Sequence, residues 1–204
     1  MSESKQILIV ENDEDLAATL KEQFEERARV YSFEAEKVSN PQEYLDKGLG
    51  QRHFDVYIVD LDLTGGGNRF SGLRIIGARS RKMPGSLIFV YSQYPETENV
   101  VKSIRLGATD FIEKVRHPAH ELVAIVEKRL EDERKAYERR LELDKLASEK
   151  AEEWHRDYQG KTLAIVGDTI AVVADSRLEA LIRYDQERPD HPEWPEEPDL
   201  LDVY

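Results

Sequence analysis

Five short apolar runs alternate with five helix-forming segments between residues 6 and 130, and this alternation limits the possible folds more than any other feature. Four of the runs are rich in β-branched or aromatic residues, which is typical of a buried strand, and the second is a weaker pattern whose apolar anchors are Tyr31, Phe33 and Val38. The runs cover residues 6–10, 29–38, 54–60, 86–91 and 109–113. Strands that alternate with helices form βαβ units with right-handed crossovers. The sequence therefore predicts an α/β fold, with a five-stranded parallel sheet and helices on both faces.

Capping residues mark where the intervening helices begin. Asp13 precedes a segment in which apolar residues recur every four positions, and Asn40 precedes a proline. Both side chains are predicted to cap a helix, since Asp and Asn are favoured at the N-cap and proline at the first helical position. The remaining helices are predicted over residues 71–81 and 95–106 and from about residue 118.

Polar side chains follow four of the five predicted strands. With the strands numbered in chain order and arranged 2-1-3-4-5, Asp60 ends the third strand and Glu11 follows the first, beside it. Ser92 follows the fourth strand and Lys114 follows the fifth. Ligand sites in open parallel sheets lie off the carboxyl ends of the strands. A single strand-end aspartate would simply begin a polar loop, but two acids, a hydroxyl and a lysine at four strand ends indicate a site.

Four motifs occupy these strands and their ends. They are ILIVEN at 7–12, VYIVDLDL at 56–63, LIFVYS at 87–92 and GATDFIEK at 107–114. In this combination and order they resemble the CheY-like receiver domain of response regulators, over about residues 5–130. The resemblance implies a two-component phosphorelay, in which a histidine kinase or phosphotransfer protein delivers a phosphoryl group to an aspartate.

The same resemblance implies a role for each of these side chains. Asp60 would be the phosphoacceptor, Lys114 would pair with the phosphoryl oxygens, and Ser92 would hydrogen-bond to one of them. Phe111 occupies the position of the family's aromatic switch residue, which turns inward when Ser92 moves toward the phosphoryl group. Phosphorylation would then be a local change of charge that biases a bistable element.

The implied cofactor is Mg²⁺, held by Glu11, Asn12, Asp60 and the backbone carbonyl of Asp62. The family has two acids after the first strand, whereas the second position here is Asn12, so we expect weakened metal binding. Val115 also stands where the family usually has a proline after its lysine. These two departures support an alternative function, a pseudo-receiver that acts as an interaction or dimerisation scaffold without phosphorylation.

The chain continues well beyond the predicted receiver domain, which we assign to residues 1–120. Residues 121–157 are predicted to extend the last helix, because no glycine or proline interrupts a helical composition up to about Tyr158. The two possible heptad rows contain charged residues, which makes the seam a poor one: they are Val126, Glu133, Arg140, Ala147 and Trp154, and Leu130, Tyr137, Asp144, Ala151 and Tyr158. Two interpretations remain open, a loose dimeric coiled coil and a charged spacer helix that is mainly solvated.

Residues 158–204 are predicted to form a small α/β module with the order ββαβ. Strand patterns at 161–166 and 169–174 flank Gly167-Asp168, which indicates a hairpin, and a helix follows to about residue 187. A last strand is predicted at 200–204. A module of this size has little core of its own, so we expect it to pack on a partner copy, the long helix or the first domain.

The composition restricts the classes of partner. The net charge of −13 argues against a nucleic-acid-binding face, which requires a basic patch. No apolar run approaches the ~20 residues that span a bilayer. The absence of cysteine excludes disulfides, thiolate metal sites and a cysteine nucleophile.

We therefore expect a cytoplasmic signalling protein without enzymatic activity, bound neither to nucleic acid nor to a membrane. Its output would be contact with a protein partner whose identity the sequence does not give. A homodimer is expected, through the face formed by the fourth helix, fifth strand and fifth helix, through the long helix, or through both.

Overall fold

The computed structural model describes residues 3–63, 71–82 and 85–203, and the chain divides into two compact units, Met1–Asp132 and Glu133–Tyr204. The first unit contains β1 (Ser4–Val10), α1 (Glu14–Arg27), β2 (Ser32–Val38), α2 (Pro41–Asp46), β3 (Val56–Val59), α3 (Ser71–Lys82), β4 (Leu87–Ser92), α4 (Thr97–Arg105) and β5 (Asp110–Glu113). The helix α5 (Ala119–Tyr158) begins in this unit. The strands form one parallel sheet with the order β2-β1-β3-β4-β5, which confirms the predicted fold.

The sheet separates two apolar layers, because successive side chains of a strand point to opposite faces. Ile7 and Ile9 of β1 lie in one layer with residues of α1 and α5, and Leu8 and Val10 lie in the other with residues of α3. All four are fully buried. Burial of each aliphatic side chain contributes roughly 1.5–3 kcal/mol, so these two layers supply most of the driving force for the first unit.

Both predicted helix caps are present. The Asp13 carboxylate accepts hydrogen bonds from the backbone N–H groups of Asp15 and Leu16, at 3.1 and 3.0 Å. The Asn40 side chain accepts from the N–H of Glu43 at 2.9 Å, and the Glu43 carboxylate accepts from the N–H of Ser39 at 2.7 Å. Reciprocal bonds of this kind satisfy backbone donors that the first turn of a helix leaves free.

The second strand begins three residues later than the sequence predicts. One carboxylate oxygen of Glu127, in α5, accepts hydrogen bonds from the backbone N–H groups of Arg29, Val30 and Tyr31, at 2.8, 2.7 and 3.2 Å. These three donors therefore bind a side chain instead of the neighbouring strand. The strand pairing starts at Ser32, opposite Ser4.

The second unit contains the remainder of α5 together with four shorter elements. They are β6 (Thr162–Val166), β7 (Thr169–Ala174), α6 (Arg177–Glu187) and β8 (Asp199–Asp202). The strands form an antiparallel sheet with the order β7-β6-β8. The predicted ββαβ order is confirmed, and Tyr204, in the predicted last strand, lies outside the described residues.

Each face of this small sheet is covered by a helix. Tyr184 of α6 is fully buried against one face, with Ala164 and Val172. Trp154 of α5 is buried against the other face, with Leu163 and Ile165. The second unit thus covers its sheet with the part of α5 that it contains, which is one of the three packing partners expected from the sequence.

This arrangement also involves side chains of the two heptad rows. Ala147 and Tyr158 pack against the Trp154 cluster, together with Leu143 and Leu146. Those positions face their own sheet, so a coiled-coil seam along α5 stays a prediction for the positions that precede them. Within the described ranges, 3–63, 71–82 and 85–203, no helix has both the length and the apolar character that a membrane span requires.

Candidate functional site

The polar side chains singled out in the sequence gather at the carboxyl edge of the parallel sheet. The backbone N–H of Asp60 donates to the carbonyl of Val10 at 2.9 Å, which brings the ends of β3 and β1 together. The N–H of Lys114 donates to the carbonyl of Ser92 at 3.0 Å, which does the same for β5 and β4. Continued strand pairing therefore positions the backbone of all four strand ends.

The centre of the site is an ammonium group held between two carboxylates. Lys114 Nζ lies 2.6 Å from Glu11 Oε2 and 2.6 Å from Asp60 Oδ2. Glu11 and Asp60 are 2% and 5% exposed, and the lysine side chain is 15% exposed. Two buried acids share one partly buried cation, so the cluster carries one net negative charge when all three groups are ionised.

The pKa values of two members shift for identifiable reasons. Burial raises the pKa of Glu11, and the Asp60 carboxylate raises it further, while the charge of Lys114 and hydrogen bonds act in the opposite direction without cancelling the rise. Burial by itself lowers the pKa of Lys114. The two carboxylates outweigh that effect, so the pKa of Lys114 is raised and its ammonium form is stabilised.

The second oxygen of Asp60 is held by the backbone. Asp60 Oδ1 accepts hydrogen bonds from the N–H of Leu61 at 2.6 Å and from that of Asp62 at 3.4 Å. Gly72, at the start of α3, lies against the same segment, and a Cβ atom there would be 2.1 Å from the backbone oxygen of Asp60. Only glycine allows this close approach, so Gly72 holds the backbone of Asp60 in place.

Ser92 is completely buried, and its hydroxyl finds no hydrogen-bond partner among the described residues. A buried hydroxyl without a partner is uncommon, because it gives up its bonds to water and gains nothing in return. Ser92 ends β4, in the register Ser92–Glu113 with β5. The hydroxyl is therefore available to a group that enters at this edge of the sheet.

Lys114 reaches the carboxylates although Val115 replaces the family's proline. Val115 is 86% exposed, so it contributes little packing. The turn after β5 is held instead by the N–H of His117, which donates to Glu113 O at 3.0 Å, and by the Tyr91 hydroxyl, which donates to His117 O at 2.8 Å. Lys114 Nζ also lies 5.7 Å from the centre of the Tyr91 ring, a cation–π contact.

Tyr91 is therefore a site residue that the sequence did not single out. It is almost completely buried, and burial raises the pKa of its hydroxyl. The alternation of β4 places it on the face toward α5, but nothing in the pattern distinguishes it from a core tyrosine. Phe111, the expected switch residue, is half-buried, pairs in register with Val90, and packs against the core on the α3 side.

Asn12 and Asp62 complete the arrangement. With the Asn12 amide oriented so that its nitrogen faces acceptors, Nδ2 donates to the backbone oxygen of Asp62 at 2.7 Å and to Glu11 Oε1 at 3.3 Å. Glu11 Oε1 also accepts from the N–H of Asp13 at 3.1 Å. All four carboxylate oxygens of Glu11 and Asp60 thus accept a hydrogen bond from the protein.

Few groups at this edge of the sheet are able to ligate a metal. In the part of the chain that the structure describes, no three Asp, Glu or His side chains come close enough together to hold a metal ion. Glu11 and Asp60 supply two carboxylates, and the Asp62 carbonyl, a further oxygen at this edge, faces the Asn12 amide.

Comparison with known proteins assigns most of the first unit to one family. Residues 7–127 match the response regulator receiver domain. The chain is similar to a CheY-like receiver domain protein from Methanospirillum hungatei JF-1, with a TM-score of 0.53 and 24% identity, over 65% of this chain and 98% of that one. It is also similar to the BeF3-activated receiver domain of DrrB, a response regulator of Thermotoga maritima, with a TM-score of 0.51 and 20% identity, over 64% and 99%. These identities are low, so the likeness shows the fold alone.

One curated relative is a cyclic di-GMP phosphodiesterase from Thermotoga maritima. It is 29% identical over 108 residues, which are 53% of this chain and 26% of that protein. The present chain thus spans about a quarter of the relative's length.

Proposed function

The chain belongs to the response regulator receiver domain family, and we propose that it receives a phosphoryl group on Asp60 and signals through contacts with other proteins. Proteins with this domain typically act in two-component signalling and are not enzymes, and the domain implies contact with a histidine kinase or a phosphotransfer protein. What the comparisons leave open is whether this chain takes the phosphoryl group and on which atom.

The proposal is carried by the buried hydroxyl of Ser92, which has no hydrogen-bond partner among the described residues and ends the strand that lies between those leading to Asp60 and Lys114. A buried hydroxyl without a partner costs about 1–3 kcal/mol, and a phosphoryl oxygen would supply the missing acceptor. Lys114 Nζ already contacts Asp60 Oδ2, so its charge lies where negative charge would accumulate. These side chains suit phosphoryl transfer, in which positioning and charge stabilisation do most of the catalytic work.

In the proposed reaction, a carboxylate oxygen of Asp60 attacks the phosphorus of a phosphohistidine. The new O–P bond forms while the P–N bond breaks, and the imidazole of the donor is the leaving group. Lys114 then pairs with a phosphoryl oxygen, and the Ser92 hydroxyl donates to another. Because the Lys114 ammonium moves from a carboxylate to the phosphoryl group, its bridge to Glu11 must also rearrange.

The rearrangement would be transmitted to the face formed by α4, β5 and α5. Movement of Ser92 would open space for Phe111, which is half-buried. On α4, Val101 and Ile104 are 39% and 45% exposed and are available to a partner. We propose that this face, the α5 helix, or both, form a homodimer, and that the second unit contributes a noncatalytic output through an unidentified protein partner.

A second candidate function is favoured by the Asn12 amide. Its nitrogen lies 2.7 Å from the Asp62 carbonyl and 3.3 Å from Glu11, so the site is hydrogen-bonded internally without any added ion. A receiver that is stable in this state could act as a pseudo-receiver, an interaction or dimerisation scaffold that needs no phosphorylation. The two functions differ in one observable, the modification of Asp60.

The test is incubation of the full chain with acetyl phosphate or phosphoramidate, followed by electrophoresis on a gel that retards phosphoproteins. The proposal predicts a retarded band for the wild type and for Asp62→Asn, and none for Asp60→Asn. Asp62→Asn is the matched control, since it makes the same chemical change two residues away. No retarded band under any donor or divalent-ion condition would support the pseudo-receiver instead.

A further inference from the structure

The side-chain amide of Asn12 occupies an unusual position at the acidic edge of the sheet. One orientation of the amide places its nitrogen toward two acceptors, Asp62 O and Glu11 Oε1, at 2.7 and 3.3 Å. The opposite orientation would direct the amide oxygen at both acceptors, which is repulsive. In a site without a cation the neighbours therefore favour the first orientation, in which Asn12 acts as a donor.

The oxygens that receive these hydrogen bonds are those that a divalent cation would need. Receiver domains generally bind Mg²⁺ at their acidic pocket. Mg²⁺ requires oxygen lone pairs at about 2.0–2.1 Å in a nearly octahedral arrangement. An NH₂ group directed at the Asp62 carbonyl and at Glu11 Oε1 takes one lone pair of each oxygen and places a partial positive charge in the same space.

The charges of the cluster lead to the same conclusion. Lys114 Nζ bridges the remaining oxygen of Glu11 and an oxygen of Asp60, each at 2.6 Å. The two carboxylates and the lysine together carry one negative charge, and the residue that would supply a further carboxylate is an uncharged amide. A site with fewer anionic ligands binds hard cations less tightly.

We infer that Asn12 and Lys114 together replace the divalent cation, so that this receiver keeps its acceptor carboxylate in place without Mg²⁺. The amide holds the Asp62 carbonyl and Glu11 from one side, and the ammonium holds Glu11 and Asp60 from the other. Asn12 is in this account a specificity-determining residue, because it decides whether the site takes an ion. The inference concerns the same site as the proposed function, but it holds whether or not Asp60 accepts a phosphoryl group.

The experiment compares the binding of Mg²⁺ to the full-length wild type and to Asn12→Asp. We expect isothermal titration calorimetry with MgCl₂ to give no saturable binding to the wild type. Asn12→Asp replaces the donor with a third carboxylate, so we expect saturable binding of Mg²⁺ to this variant. Asn40→Asp is the matched control: it makes the same substitution at a helix cap, where Asp also serves, and should behave like the wild type.

Thermal unfolding gives a second readout that does not depend on the heat of binding. In EDTA, Asn12→Asp should unfold at a lower temperature than the wild type, because three acids then face one lysine. Millimolar Mg²⁺ should restore that loss and leave the wild type unchanged, because ligand binding stabilises only a state that binds it. Asn12→Ala removes the amide without adding charge, so it should lose stability in a way that Mg²⁺ does not restore.

Two results would overturn the inference. One is saturable binding of Mg²⁺ to the wild type that Asp60→Asn abolishes, which would mean that the Asn12 amide does not keep the ion out of the site. The other is the absence of saturable binding to Asn12→Asp when it is folded, which would mean that Asn12 is not the determinant. Neither measurement uses a phosphodonor, so failure of the inference and failure of phosphorylation at Asp60 are separate results.

Discussion

Replacing Glu127 tests how α5 is attached to the sheet of the first unit. Its carboxylate is 7% exposed and accepts three backbone N–H groups, those of Arg29, Val30 and Tyr31. Tyr31 is buried, whereas the other two residues are exposed, so water can partly solvate their amides after the substitution.

Glu127→Ala should lower the free energy of unfolding by about 2–4 kcal/mol, since a hydrogen bond to a charged group contributes roughly 1.5–3 kcal/mol and part of the loss is compensated by water. In a unit of this size that corresponds to a decrease in Tm of roughly 10 °C. Glu127→Gln keeps a neutral acceptor and should lose about half as much, because ionised acceptors bind about twice as strongly. Alanine is the better helix former, so helix propensity cannot produce the expected loss.

The assay is urea unfolding followed by far-UV circular dichroism, together with hydrogen exchange at residues 29–31. Lys128→Ala is the control, because Lys128 is the next residue of the same helix and is exposed. The exchange of the three amides should accelerate in Glu127→Ala and not in Lys128→Ala. Equal stability of the two variants, or unchanged exchange at residues 29–31, would refute the argument that this carboxylate determines where β2 begins.

Three further predictions concern pH, a close backbone approach and the second unit. Because burial raises the pKa of Glu11, the folded state binds a proton at Glu11 more tightly than the unfolded state does. The contribution of protonated Glu11 to stability is therefore largest at low pH and is lost as pH rises through the pKa of the folded state. Urea midpoints measured upward from pH 4.5 should show this fall in the wild type and not in Glu11→Gln. Gly72→Ala should destabilise the first unit by about 1–3 kcal/mol or more, because the new Cβ would collide with the backbone oxygen of Asp60. Gly50→Ala is the control: its Cβ would make only ordinary contact, so it should cost less than about 1 kcal/mol in the same denaturation assay. Trp154→Ala should lower the free energy of unfolding of the second unit by about 3–5 kcal/mol, because the ring is buried there. Fluorescence of Trp194 can report the unfolding, and an unchanged midpoint would show that the contact made by α5 is not needed.

The sequence predicted the fold well where the evidence is local. Apolar runs of strand length define the parallel sheet, and the caps at Asp13 and Asn40 depend on residues two to four positions away. The strand ends follow directly from the alternation, so the carboxyl edge that carries Asp60 and Lys114 could be identified before its geometry was known.

What the sequence did not predict depends on partners that are distant in the chain. Glu127 is one of many acids in a charged helix, and its partners are backbone groups 96–98 residues away. Arg79 is similar: it is 1% exposed, and its guanidinium donates to the Gly50 carbonyl at 2.8 Å and lies over the ring of Tyr57. Charged residues are seldom buried, and nothing in the sequence pattern distinguishes these two from exposed ones.

The candidate site was likewise predicted in part: its residues followed from the sequence, but their orientations did not. The types of residue at the strand ends indicated which side chains would meet, but the details required coordinates. That Asn12 donates toward Asp62, and that the Ser92 hydroxyl has no partner among the described residues, follow from orientations within about 3 Å. No residue pattern specifies the direction of an amide or the absence of an acceptor.

The most direct test of the central claim is the chemical identity of the modified residue. An acyl phosphate is reduced by borohydride to the alcohol, so a phosphorylated Asp60 becomes homoserine, which mass spectrometry locates in the peptide. After phosphoramidate treatment of the full chain and borohydride reduction, we predict homoserine at position 60 alone, and less of it in Lys114→Met. Reduction at Glu11 or Asp62, or at no acid in the chain, would contradict the account.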